Sequence, residues 1–118
     1  MAAFTNDEPL TYDGKPLLGS SENSRLAWNP ITKRIGLAYI ETGTGAITYI
    51  EWQPGSGVVV KESVGASGIA CLGLAYDAKG LPRIGAIGEP DILEYVKQAG
   101  GTWVCNDTGI NDSLSSET

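Results

Sequence analysis

The chain has 118 residues, 42% hydrophobic and 19% charged, which makes it globular rather than disordered and sized for one domain with a modest core. A net charge of -6 with eight scattered Lys and Arg argues against nucleic acid as a partner, because neutralising phosphates takes a basic stripe. Two cysteines and no histidine exclude Ser-His and Cys-His pairs and the familiar zinc spacings.

In chain order, residues 1–24 read as an arm. Met1 to Glu8 has no basic n-region and no apolar h-region, so no Sec-type signal is expected there. No apolar run approaches the roughly 18 residues of a membrane span, which predicts a soluble chain without assigning a compartment. Within the arm, Pro9-Leu10-Thr11-Tyr12-Asp13-Gly14-Lys15-Pro16-Leu17 echoes a later stretch, Leu74 to Pro82. The echo is too short for a full unit, leaving two expectations: a strand donated to a neighbouring copy, or a free arm.

Four strands follow over residues 25–65. The first is 25–28, ended by the turn Asn29-Pro30-Ile31-Thr32-Lys33. The second, 34–41, alternates so that Ile35, Leu37 and Tyr39 share one face and Gly36, Ala38 and Ile40 the other. Thr42-Gly43-Thr44-Gly45 turns into a third strand, 46–52, rich in β-branched and aromatic residues. Pro54-Gly55-Ser56-Gly57 ends it, and 58–64 is the fourth. Residues 71–109 repeat this plan, with strands at 72–76, 82–88, 91–98 and 102–107. Residues 91–99 also have spacing tolerable for a short helix; the strand is preferred because 46–52 is its counterpart. A polar tail, 110–118, closes the chain.

The plan is written twice in letters as well. Leu26-Ala27-Trp28-Asn29 returns as Leu74-Ala75-Tyr76-Asp77, and Arg34-Ile35-Gly36 as Arg83-Ile84-Gly85. Tyr49 is matched to Tyr95, and Gly57-Val58-Val59-Val60 to Gly101-Thr102-Trp103-Val104. A period of about 40–50 residues made of short strands suits propeller blades. Neither face of these strands is cleanly polar, as expected when each sheet lies between two others. Small residues (Gly36 and Ala38, or Gly85 and Ala86) are expected to admit large side chains from a neighbouring sheet. Two sheets alone would expose more apolar face than the few hundred Å² usual for a monomer, so assembly is expected.

These motifs, with Leu93-Glu94-Tyr95-Val96 and Gly100-Gly101-Thr102-Trp103, resemble a degenerate bacterial and phage β-propeller repeat over residues 25–109. The first copy departs from it, with Asn29-Pro30 for the Asp turn and Val59 at the Trp103 position. The organisation is also similar in architecture to small two-blade lectins that trimerise. The resemblance implies an all-β chain of two four-stranded blades, 25–65 and 71–109, completing a ring by homo-oligomerisation. A six-bladed trimer is preferred over a four-bladed dimer.

The chemistry-bearing residues point to binding rather than catalysis. Glu41, Asp77, Glu89, Asp91 and Glu94 do not form the flanking carboxyl pair that glycoside hydrolysis needs, and most fall in turns. The glycine clusters lack the helix and Lys of a phosphate loop, and Asn106-Asp107 with Asn111-Asp112 is a weak acidic patch for calcium. In a four-stranded blade the strands of Cys71 and Cys105 are three spacings apart, about 14 Å at roughly 4.8 Å each. A disulfide wants Cα atoms within about 7 Å, so both are expected as buried, reduced thiols. Trp103, Tyr49 and Tyr95 are assigned to packing. Aromatic faces beside amides and carboxylates suit sugars, which makes Trp28, Asn29, Trp52, Tyr76 and Asp77 the candidate ligand-binding residues. The reading is a non-enzymatic, lectin-like module without cofactor or metal, whose partners are its own copies and glycans. The alternative is a structural or assembly protein, such as a viral or surface component, with no small ligand.

Overall fold

A computed structural model describes residues 11–17, 19, 24–65, 70–87 and 91–111. Ten strands and no helix occur among them: β1 (Thr11–Tyr12), β2 (Lys15–Pro16), β3 (Arg25–Asn29), β4 (Arg34–Ile40), β5 (Ile47–Gln53), β6 (Gly57–Gly65), β7 (Ala70–Tyr76), β8 (Pro82–Ile87), β9 (Asp91–Lys97) and β10 (Trp103–Asn111). The all-β expectation holds, and the strand over residues 91–97 displaces the helical alternative. Its ladder partners on both sides, β8 and β10, decide what local spacing left open.

β1 and β2 form a small hairpin, while β3 to β6 and β7 to β10 each make a four-stranded antiparallel meander, here sheet 1 and sheet 2. Turn chemistry explains the meanders. The β7–β8 and β9–β10 turns are built alike: Gly80 N–H donates to Asp77 O and Gly101 N–H to Gln98 O, both glycines having positive φ. Such a turn followed by a left-handed residue is a standard three-residue hairpin, and glycine adopts that conformation without steric cost. In the β3–β4 turn Lys33 takes the left-handed conformation, with φ 61°.

Directly opposed residues in a ladder share a face. Ala38 pairs with Tyr49 and Gly36 with Glu51, while Ile84 pairs with Tyr95 and Ala86 with Leu93. One face of sheet 1 therefore meets one face of sheet 2, and Ala38, Ile47, Tyr49, Cys71, Ile84, Ala86 and Tyr95 form the core between them. Each such fully buried large side chain contributes roughly 1.5–3 kcal/mol relative to exposure. We call the face carrying Trp28 or Tyr76 the front of its sheet and the opposite face the back. The front of sheet 2 lies on the back of sheet 1.

Several expectations change in detail. Gly85 and Ala86 are consecutive and point to opposite faces, so only Ala86 lies in the core. Tyr49 and Tyr95 are not equivalent: Tyr49 is on the back of sheet 1 and Tyr95 on the front of sheet 2, meeting from opposite sides. The residue placed opposite Ile35 as Tyr95 is placed opposite Ile84 is Trp52, for which the letters offered no counterpart. Cys71 lies inside β7, buried, whereas Cys105 is exposed on the edge strand β10; both are free thiols. β10 runs to Asn111, past the expected end at 107, because Thr108 and Ile110 keep it extended across a register shift near Gly109.

The β1–β2 hairpin lies near β6 of its own chain, and Gly19 bridges Glu41 at the end of β4. A Cβ at Gly19 would come within 2.5 Å of the Tyr39 ring, so the arm passes close over that side chain. Residues 1–10, the Glu89-Pro90 turn and residues 112–118 lie outside the described residues.

Candidate functional site

Polar side chains gather where the two sheets meet. Glu51, 8% exposed, accepts from Arg34 Nη1 at 2.8 Å and from Tyr49 Oη at 2.8 Å. Since the Tyr49 proton goes to Glu51, the 2.9 Å contact between the two phenols is Tyr76 Oη donating to Tyr49 Oη. Arg34 Nε also donates to Gln53 Oε1 at 3.1 Å. A buried carboxylate persists when cation and donors offset its lost hydration, and this row supplies both.

A second cluster joins the outer strands. Lys97 Nζ donates to both Glu62 oxygens at 2.8 Å, and Trp103 Nε1 donates to Glu62 Oε1 at 3.0 Å. The Trp103 ring meets Tyr49 edge-on, with centroids 5.6 Å apart. Both clusters span the sheet–sheet contact, and in both the carboxylate has its own cation. Elsewhere Glu41 is held by Lys61 at 3.0 Å and Thr44, and Glu94 lies 3.9 Å from Arg83. The described carboxylates in these contacts are thus individually engaged by a cation.

Titration behaviour follows the same geometry. Burial, and then its bond to Tyr76, pushes the Tyr49 phenol far up, and burial likewise raises Tyr76. Tyr95 is pushed up to about 12 by burial and then by its contact with Cys105. Burial pushes the Cys71 thiol up to about 11, keeping it protonated and a poor nucleophile at neutral pH. Among the described residues no group of three or more His, Cys, Asp or Glu is placed to hold a metal ion.

The five candidate ligand residues do not form one site. Asn29 is 1% exposed; its Nδ2 donates to Gly80 O across the sheets at 2.9 Å, and its Oδ1 accepts from Ile31 and Thr32 N–H. Its amide is committed to the protein and is a structural clamp. Tyr76 is directed between the sheets over Gly36, where a methyl group would overlap its hydroxyl. Asp77 Oδ1 accepts from Leu81 and Lys79 N–H, which hold its carboxyl below the usual range, so it fixes its own turn. Trp28 and Trp52 stand apart from these three, on the front of sheet 1. They flank Ile35 across three adjacent strands, a span of about 10 Å. Trp28 is 52% exposed, beside Leu26 at 68%.

Sequence reasoning missed Arg34, Glu51, Glu62 and Lys97. One signal was present: Tyr49, Glu51 and Gln53 recur every second residue in an apolar strand, placing three polar groups on one face. Comparison with family models, with curated proteins and with solved structures returned no match.

Proposed function

We propose that this chain is a non-enzymatic recognition module of the β-propeller kind, acting through surfaces rather than covalent chemistry. Its two sheets serve as two blades, and further copies complete the ring. The observation that carries this reading is the pair of unlike faces left over when the sheets stack. The front of sheet 1 leaves Leu26 and Trp28 exposed along β3, although Thr48 and Ile50 of β5 are covered, and the back of sheet 2 offers Gly73 and Gly85 beside the Arg83–Glu94 pair. A stack of sheets with one front open along its first strand and one back open closes by adding copies in the same sense. Three copies give six blades, the preferred number, and two give four.

Light scattering after size exclusion tests this. A mass three times the 12.4 kDa chain supports the six-bladed ring and twice that mass the four-bladed one, whereas a well-folded monomer overturns the reading.

A second reading, carbohydrate recognition, is favoured by Trp28 and Trp52 on one face, since two aromatic platforms about 10 Å apart suit a short saccharide. This reading needs the front of sheet 1 open to solvent and so competes with a ring that buries that face. Glycan-array binding lost in Trp52→Ala, with the assembly mass unchanged, supports it. An oligomer that binds no glycan is a purely structural component.

A further inference from the structure

The contact inside the chain is a template for the contact between chains. Tyr76, on the front of sheet 2, reaches across to Gly36 on the back of sheet 1, and it fits because Gly36 has no side chain. The ladder partners of Gly36 are Ala27 and Glu51, so on its β3 side the hollow is one glycine and one alanine wide. In the repeat, Trp28 takes the place of Tyr76 and Gly85 the place of Gly36.

The ladder partners of Gly85 are Gly73 and Glu94, so the corresponding hollow on the back of sheet 2 is lined by two glycines on its β7 side, with the Arg83–Glu94 pair beside it. A Cβ built on either would meet nothing within 4 Å, whereas one built on Gly36 would strike Tyr76. The filled hollow is the narrower and holds the smaller aromatic; the empty one is the wider, and its counterpart aromatic is the larger. Leu26 and Trp28 are both exposed, so the knob is as open as the hole.

We infer that the β3 side of the front of sheet 1 docks on the back of sheet 2 of a second copy, with the Trp28 indole seated over the Gly73–Gly85 pair. This rests on the assembly reading above and specifies its contact: heterologous, front to back, and repeating the sheet order already present within the chain. A front-to-front dimer would instead set Leu26 and Trp28 against their own copies, with no hollow to receive them and both glycine pairs left bare. Front-to-back stacking matches shape at every junction, as packing at native density requires.

The test blocks one face at a time. Trp28→Lys removes the knob at an exposed position, and Gly85→Trp fills the hole at a position where a Cβ meets nothing within 4 Å and φ is not positive. Gly73→Leu is a second block of the same hole, should Gly85→Trp disturb folding as judged by circular dichroism. Light scattering should give an oligomer for wild type and the 12.4 kDa monomer for each blocked variant. Mixing front-blocked with back-blocked chains at high concentration should restore one junction and stop there, at twice the chain mass. Retention of the wild-type mass by both back-blocked variants overturns the inference while the assembly reading stands. A mixture that stays monomeric also overturns it. A monomeric wild type overturns both.

Discussion

β5 and β9 are each the third strand of a four-stranded meander, yet they live in different surroundings. In β5 the five residues from Ile47 to Glu51 are all buried, on both faces, whereas in β9 Tyr95 alone is buried and the rest are half-buried. One face of each contributes to the same core. The opposite face of β5 carries Thr48 and Ile50, 2% and 1% exposed, while that of β9 carries Ile92, Glu94 and Val96. Two strands with one plan therefore report different cover: the back of sheet 2 is less covered at β9 than the front of sheet 1 is at β5.

Truncations should turn that difference into numbers. Ile50→Ala, at a fully buried position on that opposite face, is expected to cost about 2–5 kcal/mol, and Ile92→Ala less than half as much, read from urea midpoints in the monomeric background. Equal losses would mean that the back of sheet 2 is already covered. The glycine hollows give the next contrast. Gly36→Ala forces Tyr76 out of place and should cost about 1–3 kcal/mol, with Tyr76→Phe relieving part of the loss; the matched Gly85→Ala should change stability by no more than about 0.5 kcal/mol in monomers. Asn29→Ala leaves Gly80 O and two turn N–H groups without their partner and should cost about 1–3 kcal/mol. Asp77→Ala, whose bonds stay within its own exposed turn, should cost less.

Acid provides the smallest contrast. The Lys61 ammonium, with the Thr44 hydroxyl, holds the Glu41 carboxyl below its ordinary range. A carboxyl depressed on folding stabilises the fold above its unfolded pKa, and this is lost as pH falls through the folded value. Melting temperature measured across the acid range should therefore fall, and Glu41→Gln should flatten part of that limb by slightly lowering the neutral plateau.

Much of this architecture was legible in the residues, because alternation is a local signal. The faces of β4 follow from Ile35, Leu37 and Tyr39 against Gly36, Ala38 and Ile40, and the ladders keep that division. What failed was parity across connections of different length. Matching Tyr49 to Tyr95 by letter ignored the six residues between β4 and β5 and the three between β8 and β9, which put the two rings on opposite faces of their sheets. Cys105 was misplaced for a related reason: alternation sets it opposite Tyr95, but an edge strand has no further strand to cover it. The candidate site was least legible, since the amide of Asn29 looks free until the β7–β8 turn is seen to lie against it. Nor does anything local announce that Arg34 and Glu51, in different strands, become one ion pair.

The outer edge of sheet 2 has a further consequence. β10 is nine residues long and carries an open row of backbone groups, the kind of edge on which cross-β fibrils grow. Its last third disarms itself. Gly109 N–H is taken by Asp107 Oδ1 and Ile110 N–H by Thr108 Oγ1, while the Thr108 hydroxyl turns inward to Ile92 O. A foreign strand arriving there finds its donors occupied and, at Gly109, a left-handed kink where a flat ladder should continue. Ladder pairing over that third of the edge therefore meets occupied donors and a bend rather than a flat, open template.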